Sequence, residues 1–121
     1  MRIGKPEALD MFRKWSSEST LIRCEFGFML FRVVLRGRIV LSADCSEVRL
    51  LADDTLSESV VLLRDIWEFD YVDNRELPEQ AKIYDSVLVL TPKGQATRES
   101  RIGFVEIRDG VSEIVPGSPS P

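Results

Sequence analysis

Six carboxylates fall between residues 65 and 79: Asp65, Glu68, Asp70, Asp73, Glu76 and Glu79. Glu68 and Asp70 are two apart in an alternating stretch, so on a strand they point the same way, about 7 Å apart. A pair so placed can hold a divalent cation or divide acid and base roles. The rest of a calcium loop is missing, since Asp70-Tyr-Val-Asp-Asn lacks the glycine and the later glutamate at the required positions. A solvated strand face accounts for these carboxylates more simply.

A second group able to bind is basic. Arg32, Arg36 and Arg38 share one parity, and Arg23 and Arg49 can join them from neighbouring strands. Arg23, Arg32, Arg36 and Arg38 together would suit phosphates, with Phe28 or Phe31 stacking on bases. The aromatics around 31–38 fall on the opposite parity, however, and a stacking platform needs both on one face. Arginines facing water, or paired across the sheet with carboxylates, are the simpler reading.

Other chemistry is excluded by residue type. There is no histidine, which removes the commonest general base and zinc ligand, and with it any Ser-His or Cys-His nucleophile. Lys93-Gly-Gln-Ala-Thr lacks the spacing of a phosphate-binding loop. No catalytic residue, metal site or cofactor is expected. Cys24 and Cys45 both lie in or beside apolar stretches and read as small buried hydrophobes. Residues 1–50 carry nine Lys/Arg and six Asp/Glu, while residues 51–121 carry seven and fourteen, for a net charge of -4. An acidic chain is a poor counterion for nucleic acid in bulk.

The elements that must position these residues begin with a helix over 6–17. Pro6 suits a first helical position, Glu7 and Asp10 complement the dipole, and Ala8, Met11, Phe12 and Trp15 form one apolar stripe. From Leu21 the period becomes 2. Ile22, Cys24, Phe26, Phe28 and Leu30 share one parity; Phe31, Val33, Leu35, Ile39 and Leu41 share the other. A strand cannot change face without a break. Two strands are therefore expected, about 21–27 and 29–42, with a break between Phe26 and Phe31 for which Gly27 is the favoured host, and a sharp bend or hairpin at Arg36-Gly37. Further strands are expected over 47–52, 59–71, 86–91 and 101–108. Within 59–71, Trp67, Phe69 and Tyr71 share one face, as core or as the lining of a pocket. Asp44-Cys45-Ser46 reads as a turn.

The fold class is mainly β (α+β): an N-terminal helix followed by about six antiparallel strands forming a small barrel or strongly bent sheet. Residues 1–114 read as one domain and 115–121 as a disordered Pro/Ser-rich tail. No apolar run approaches the roughly 18 residues of a membrane span, and the N-terminus lacks the apolar region of a secretory signal, so a cytoplasmic location is expected.

The stretch Gly37-Arg-Ile-Val-Leu-Ser-Ala-Asp44 resembles the glycine, apolar strand and aspartate of the first Sm signature, and a helix before a short barrel resembles the Sm-like RNA-binding fold. The chain departs from that family where a small polar pair should follow the aspartate, since Glu47-Val48 stands nearby instead. The closing Arg-Gly signature is also missing. The resemblance implies a topology and no site residues.

The leading expectation is a non-enzymatic domain acting through protein contacts, self-associating as a homo-oligomer through strand edges. The alternative is a weak binder of nucleic acid or anionic ligands through Arg23, Arg32, Arg36 and Arg38.

Overall fold

A computed structural model describes residues 1–28, 31–53, 58–79, 84–94 and 100–107. The tail expected over 115–121 lies outside the described residues. Helix α1 runs over Lys5–Ser17, with Gly4 as its N-cap, Pro6 and Glu7 in the first turn and Lys14 in the last. It ends where Ser19 adopts a left-handed φ of 51°, and the Thr20 N–H closes the last turn on the Trp15 carbonyl at 3.0 Å. The expected stripe is the buried one: Ala8, Phe12 and Trp15 are at most 1% exposed.

Among the described residues eight strands accompany the helix: β1 (Arg2–Ile3), β2 (Leu21–Phe28), β3 (Phe31–Leu41), β4 (Glu47–Ala52), β5 (Glu58–Leu62), β6 (Trp67–Asp73), β7 (Tyr84–Pro92) and β8 (Ser100–Ile107). They form one antiparallel sheet in the order β1-β6-β7-β8-β2-β3-β4-β5. From β2 the chain meanders outward to β5, and from β6 it meanders back until β8 pairs with β2. Such a path would close a barrel if β5 met the opposite margin, formed by β1 on β6. It does not, so the sheet is an open, bent one, and the short closed barrel implied by the Sm resemblance is not built. The two sides of the opening are tied at one end. There the Trp67 indole N–H donates to the Leu62 carbonyl at 2.7 Å, and Lys5 Nζ donates to the Leu63 carbonyl at 3.0 Å.

The parity switch near residue 30 is a reversal of direction. Phe28 pairs with Phe31, so β2 and β3 are the arms of a hairpin. Residues directly opposite in an antiparallel pair share a face. Phe26 stands opposite Val33, Cys24 opposite Leu35 and Ile22 opposite Gly37. The even set before the turn and the odd set after it therefore lie on the same concave face, against the helix. The break comes one step later than Gly27, which sits in regular ladder between Arg32 and Arg101. A Cβ on Gly27 would meet nothing closer than 3.9 Å. Gly27→Val is accordingly expected to change stability by less than about 0.5 kcal/mol in chemical denaturation, as for an ordinary surface position; a larger loss would return the break to Gly27.

Two other boundaries differ from expectation. No hairpin forms at Arg36-Gly37, because β3 runs unbroken through both. The single strand expected over 59–71 is two, because Leu63 to Ile66 turn the chain from β5 to β6 across the open side of the sheet. The apolar run in β7 is a central strand, between β6 and β8, with Leu88 and Leu90 fully buried in the core shared with α1 and Val87 and Val89 half-buried outward.

The core gathers α1 and the concave face of β2 to β8. Phe12 stacks edge-on against Phe104 at 5.1 Å and Trp15 at 5.9 Å. Among the described residues no helix is long and apolar enough to cross a membrane.

Candidate functional site

The carboxylate pair is placed as strand spacing requires, on the outer face of β6, but it is not open to a cation. Arg2, held beside it by the β1–β6 pairing, reaches Glu68 Oε2 at 2.8 Å through Nη1 and Asp70 Oδ1 at 3.0 Å through Nε. The guanidinium occupies the position a metal would take. Among the described residues no cluster of Asp, Glu, Cys or His has the arrangement of a metal site.

The four arginines are brought together on the outer face. Arg23 and Arg36 are direct cross-strand neighbours. Arg38 lies two residues beyond Arg36 on β3, and Arg32 lies four residues before it, with Val34 between them on the same face. Carboxylates are threaded among them: Arg23 bridges Glu25 at 3.1 Å, Arg32 approaches the same glutamate at 4.0 Å, and Arg36 bridges Asp53 at 3.3 Å. Arg38 makes no ion pair among the described residues. The side chains of Phe28 and Phe31, the expected stacking partners, lie outside those described. The described aromatic side chains of the sheet, Phe26, Trp67, Phe69, Tyr71 and Phe104, belong to the opposite, concave face. Among them, none shares a face with the arginines as base stacking requires.

Asp44, the aspartate of the Sm-like stretch, is committed to its own turn. Its carboxylate accepts from Ser46 Oγ at 2.6 Å, Ser42 Oγ at 2.9 Å and the Ser46 N–H at 3.1 Å. These bonds, led by the Ser46 hydroxyl, hold its carboxyl below the usual carboxylate range. Cys24 is buried, and burial pushes its thiol well above the ordinary range. Cys45 is half-buried in the same turn as Asp44, at a left-handed φ of 59°, with its Sγ 3.4 Å from Arg13 Nη2. Both thiols are free.

The aromatic stripe of β6 divides. Phe69 is 4% exposed and joins the core, whereas Trp67 and Tyr71 are half-buried at the two ends. Trp67→Ala therefore removes only part of an aromatic's burial, together with the indole bond to Leu62. The expected loss is about 2 kcal/mol rather than the roughly 3–5 of a fully buried ring, measurable by urea denaturation.

A feature not singled out in the sequence is the open margin at β5. Five large apolar residues on the outer face, Val34, Val40, Leu51, Val60 and Leu62, are 40–48% exposed. Four of them frame Arg49. Val40 and Val60 stand opposite it on either side, Leu51 is two residues along β4, and Leu62 is two residues beyond Val60. Arg49 itself is neutralised by Glu58 at 2.9 Å and Glu47 at 3.8 Å. The patch thus runs to the sheet edge with its central charge balanced.

The hydrogen-bonding pattern of that edge follows from two bonds. The Leu63 N–H donates to the Ser46 carbonyl at 2.8 Å, and the Ser42 N–H donates to the Glu47 carbonyl at 3.0 Å. Antiparallel ladders alternate bonded and non-bonded pairs. Val61 and Ser59 therefore bond to β4, and the N–H and C=O groups of Glu58, Val60 and Leu62 point off the open edge. One of these groups, the Leu62 carbonyl, is capped by the Trp67 indole. Glu58-Ser-Val-Val-Leu62 shows no polar/apolar alternation, and nothing in sequence says which strand lacks a neighbour.

Comparison with known proteins finds no matching family model, no matching curated protein and no matching solved structure.

Proposed function

We propose that this is a non-catalytic domain that acts through protein contacts, and that the contact is self-association through β5. The observation behind this reading is an edge strand whose outward side chains, Val60 and Leu62, are 42% and 48% exposed. Unpaired strand edges with apolar flanks are where sheets extend into a second molecule.

A second copy suits the edge because β5 is self-complementary. In an antiparallel β5–β5 pair centred on Val60, each Val60 faces its copy and each Leu62 faces a Glu58. Arg64, two residues past Leu62, then lies diagonal to that glutamate. Arg64 is exposed and makes no ion pair among the described residues, so the arrangement supplies a partner of opposite charge twice by symmetry. The nucleic-acid alternative has less behind it, because three of its four arginines are already ion-paired within the chain.

Sedimentation equilibrium up to about 100 μM should give the mass of a dimer, and Val60→Lys should give a monomer that still unfolds cooperatively with a melting temperature independent of concentration, because surface substitutions rarely change the fold itself by more than about 0.5 kcal/mol whereas loss of a partner removes only the concentration-dependent part. A wild-type chain that stays monomeric over that range, or a Val60→Lys variant that dimerises equally well, would overturn the reading.

A further inference from the structure

A cavity of about 270 Å³ opens at the other side of the helix, between α1 and strands β1, β6, β7 and β8. Small-molecule pockets run about 300–1,000 Å³, so this one admits a compact ligand. Its polar side is built from the interior of the sheet. Ser86, 4% exposed, is a buried polar residue in an otherwise apolar core, and its hydroxyl donates to Glu106 Oε2 at 2.9 Å. Tyr71, diagonal to Ser86 on the adjacent strand, and Lys14 of the helix also line it. Burial, and then the charges of Asp73 and Glu106, raise the Tyr71 hydroxyl above its ordinary range, so it stays a donor. Ile3, Met11 and the wall of Trp15 form the apolar remainder.

The charges of this cavity are what point to its ligand. Lys14, Glu106 and Glu7 all line it, and none makes a salt bridge among the described residues. Glu7 and Lys14 are two helical turns apart, about 10 Å along the axis, too far to pair with each other. Two carboxylates and one ammonium disfavour a simple anion. The Lys14 ammonium disfavours a simple cation. A molecule carrying both charges meets the ammonium and the carboxylates of the lining at once, and the apolar wall accepts its side chain.

We propose that the cavity binds a free α-amino acid with an apolar side chain, its carboxylate on Lys14 and the Tyr71 hydroxyl, its ammonium on Glu106, and its side chain against Met11 and Ile3. The Ser86 hydroxyl holds the Glu106 carboxylate in place for the ammonium. This site is separate from the β5 edge and stands or falls independently of self-association.

Titration calorimetry with L-leucine, isoamylamine and 4-methylpentanoate tests it, the last two being leucine without its carboxylate and without its ammonium. Leucine should bind in the millimolar range or better, and each singly charged analogue about tenfold more weakly. Lys14→Ala should weaken leucine and leave isoamylamine unchanged; Glu106→Gln, which keeps an acceptor for Ser86, should weaken leucine and leave 4-methylpentanoate unchanged. Circular dichroism would establish that both variants are folded. No heat with leucine, an analogue that binds as tightly as leucine, or leucine binding indifferent to either substitution would overturn the proposal.

Discussion

Gly37→Val should lose at least about 3 kcal/mol, at the upper end of what overpacking costs, and is expected to leave little folded protein at physiological temperature. Gly37 lies opposite Ile22 on β2 and Ala52 on β4, on the concave face. There the two strands approach so closely that a Cβ would fall onto the Leu51 carbonyl and 2.8 Å from the Ala52 Cα. Both obstacles are backbone, so no side chain can rotate away. Relief would require β3 and β4 to separate, and that would open the ladder on which Ile39, Val48 and Leu50 are buried. The control is Gly27, beside the turn of the same hairpin, where there is room. Denaturation of the two valine variants in parallel checks the contrast, and equal stabilities would show that the close approach is absent.

Phe12→Ala should cost about 3–5 kcal/mol, the usual range for emptying a buried aromatic site. Phe12 is fully buried at the centre of the helix face and meets Phe104 and Trp15 edge-on. Edge-to-face pairs add about 0.5–1.5 kcal/mol beyond burial, and the sheet cannot close over the vacated space because its curvature is set by eight paired strands. Urea denaturation should show a lower midpoint. A loss below about 1 kcal/mol would mean that α1 does not plug the concave face as described.

Most of the fold was legible because it rests on periodicity. The stripe Ala8, Phe12 and Trp15 marks the helix and its buried side, and alternation marks β2, β3, β4, β6 and β8. Even the parity switch was legible as a break, because two long apolar sets cannot face opposite ways in water. What sequence could not supply is how the break is resolved. A bulge at Gly27 and a reversal between Phe28 and Phe31 both restore a common face, and only the cross-strand partner distinguishes them. The same limit hid the role of Gly37, whose importance lies in the carbonyl of Leu51 on the next strand. It also hid β1, since Arg2 and Ile3 are too few to show a period. The turn at Leu63 to Ile66 was missed because it is flanked by apolar residues on both sides and contains no glycine or proline.

The sites were less legible than the fold for the same reason. Parity alone puts Arg32, Arg36 and Arg38 on one face, but the carboxylates that pair with the arginines come from a neighbouring strand position and a distant turn. Glu68 and Asp70 were correctly paired, but the arginine that clamps them is 66 residues from Glu68. The polar cavity joins Lys14, Tyr71, Ser86 and Glu106 from four separate elements, with no local spacing to announce it.

Self-association through β5 is tested most directly by amide exchange at Val60, whose N–H points off the open edge. The Val60 amide should be protected in proportion to the dimer fraction, exchanging slowly at high protein concentration and rapidly on dilution, while the Val61 amide, bonded to β4, should stay protected throughout. A Val60 amide that exchanges equally fast at every concentration would contradict the account.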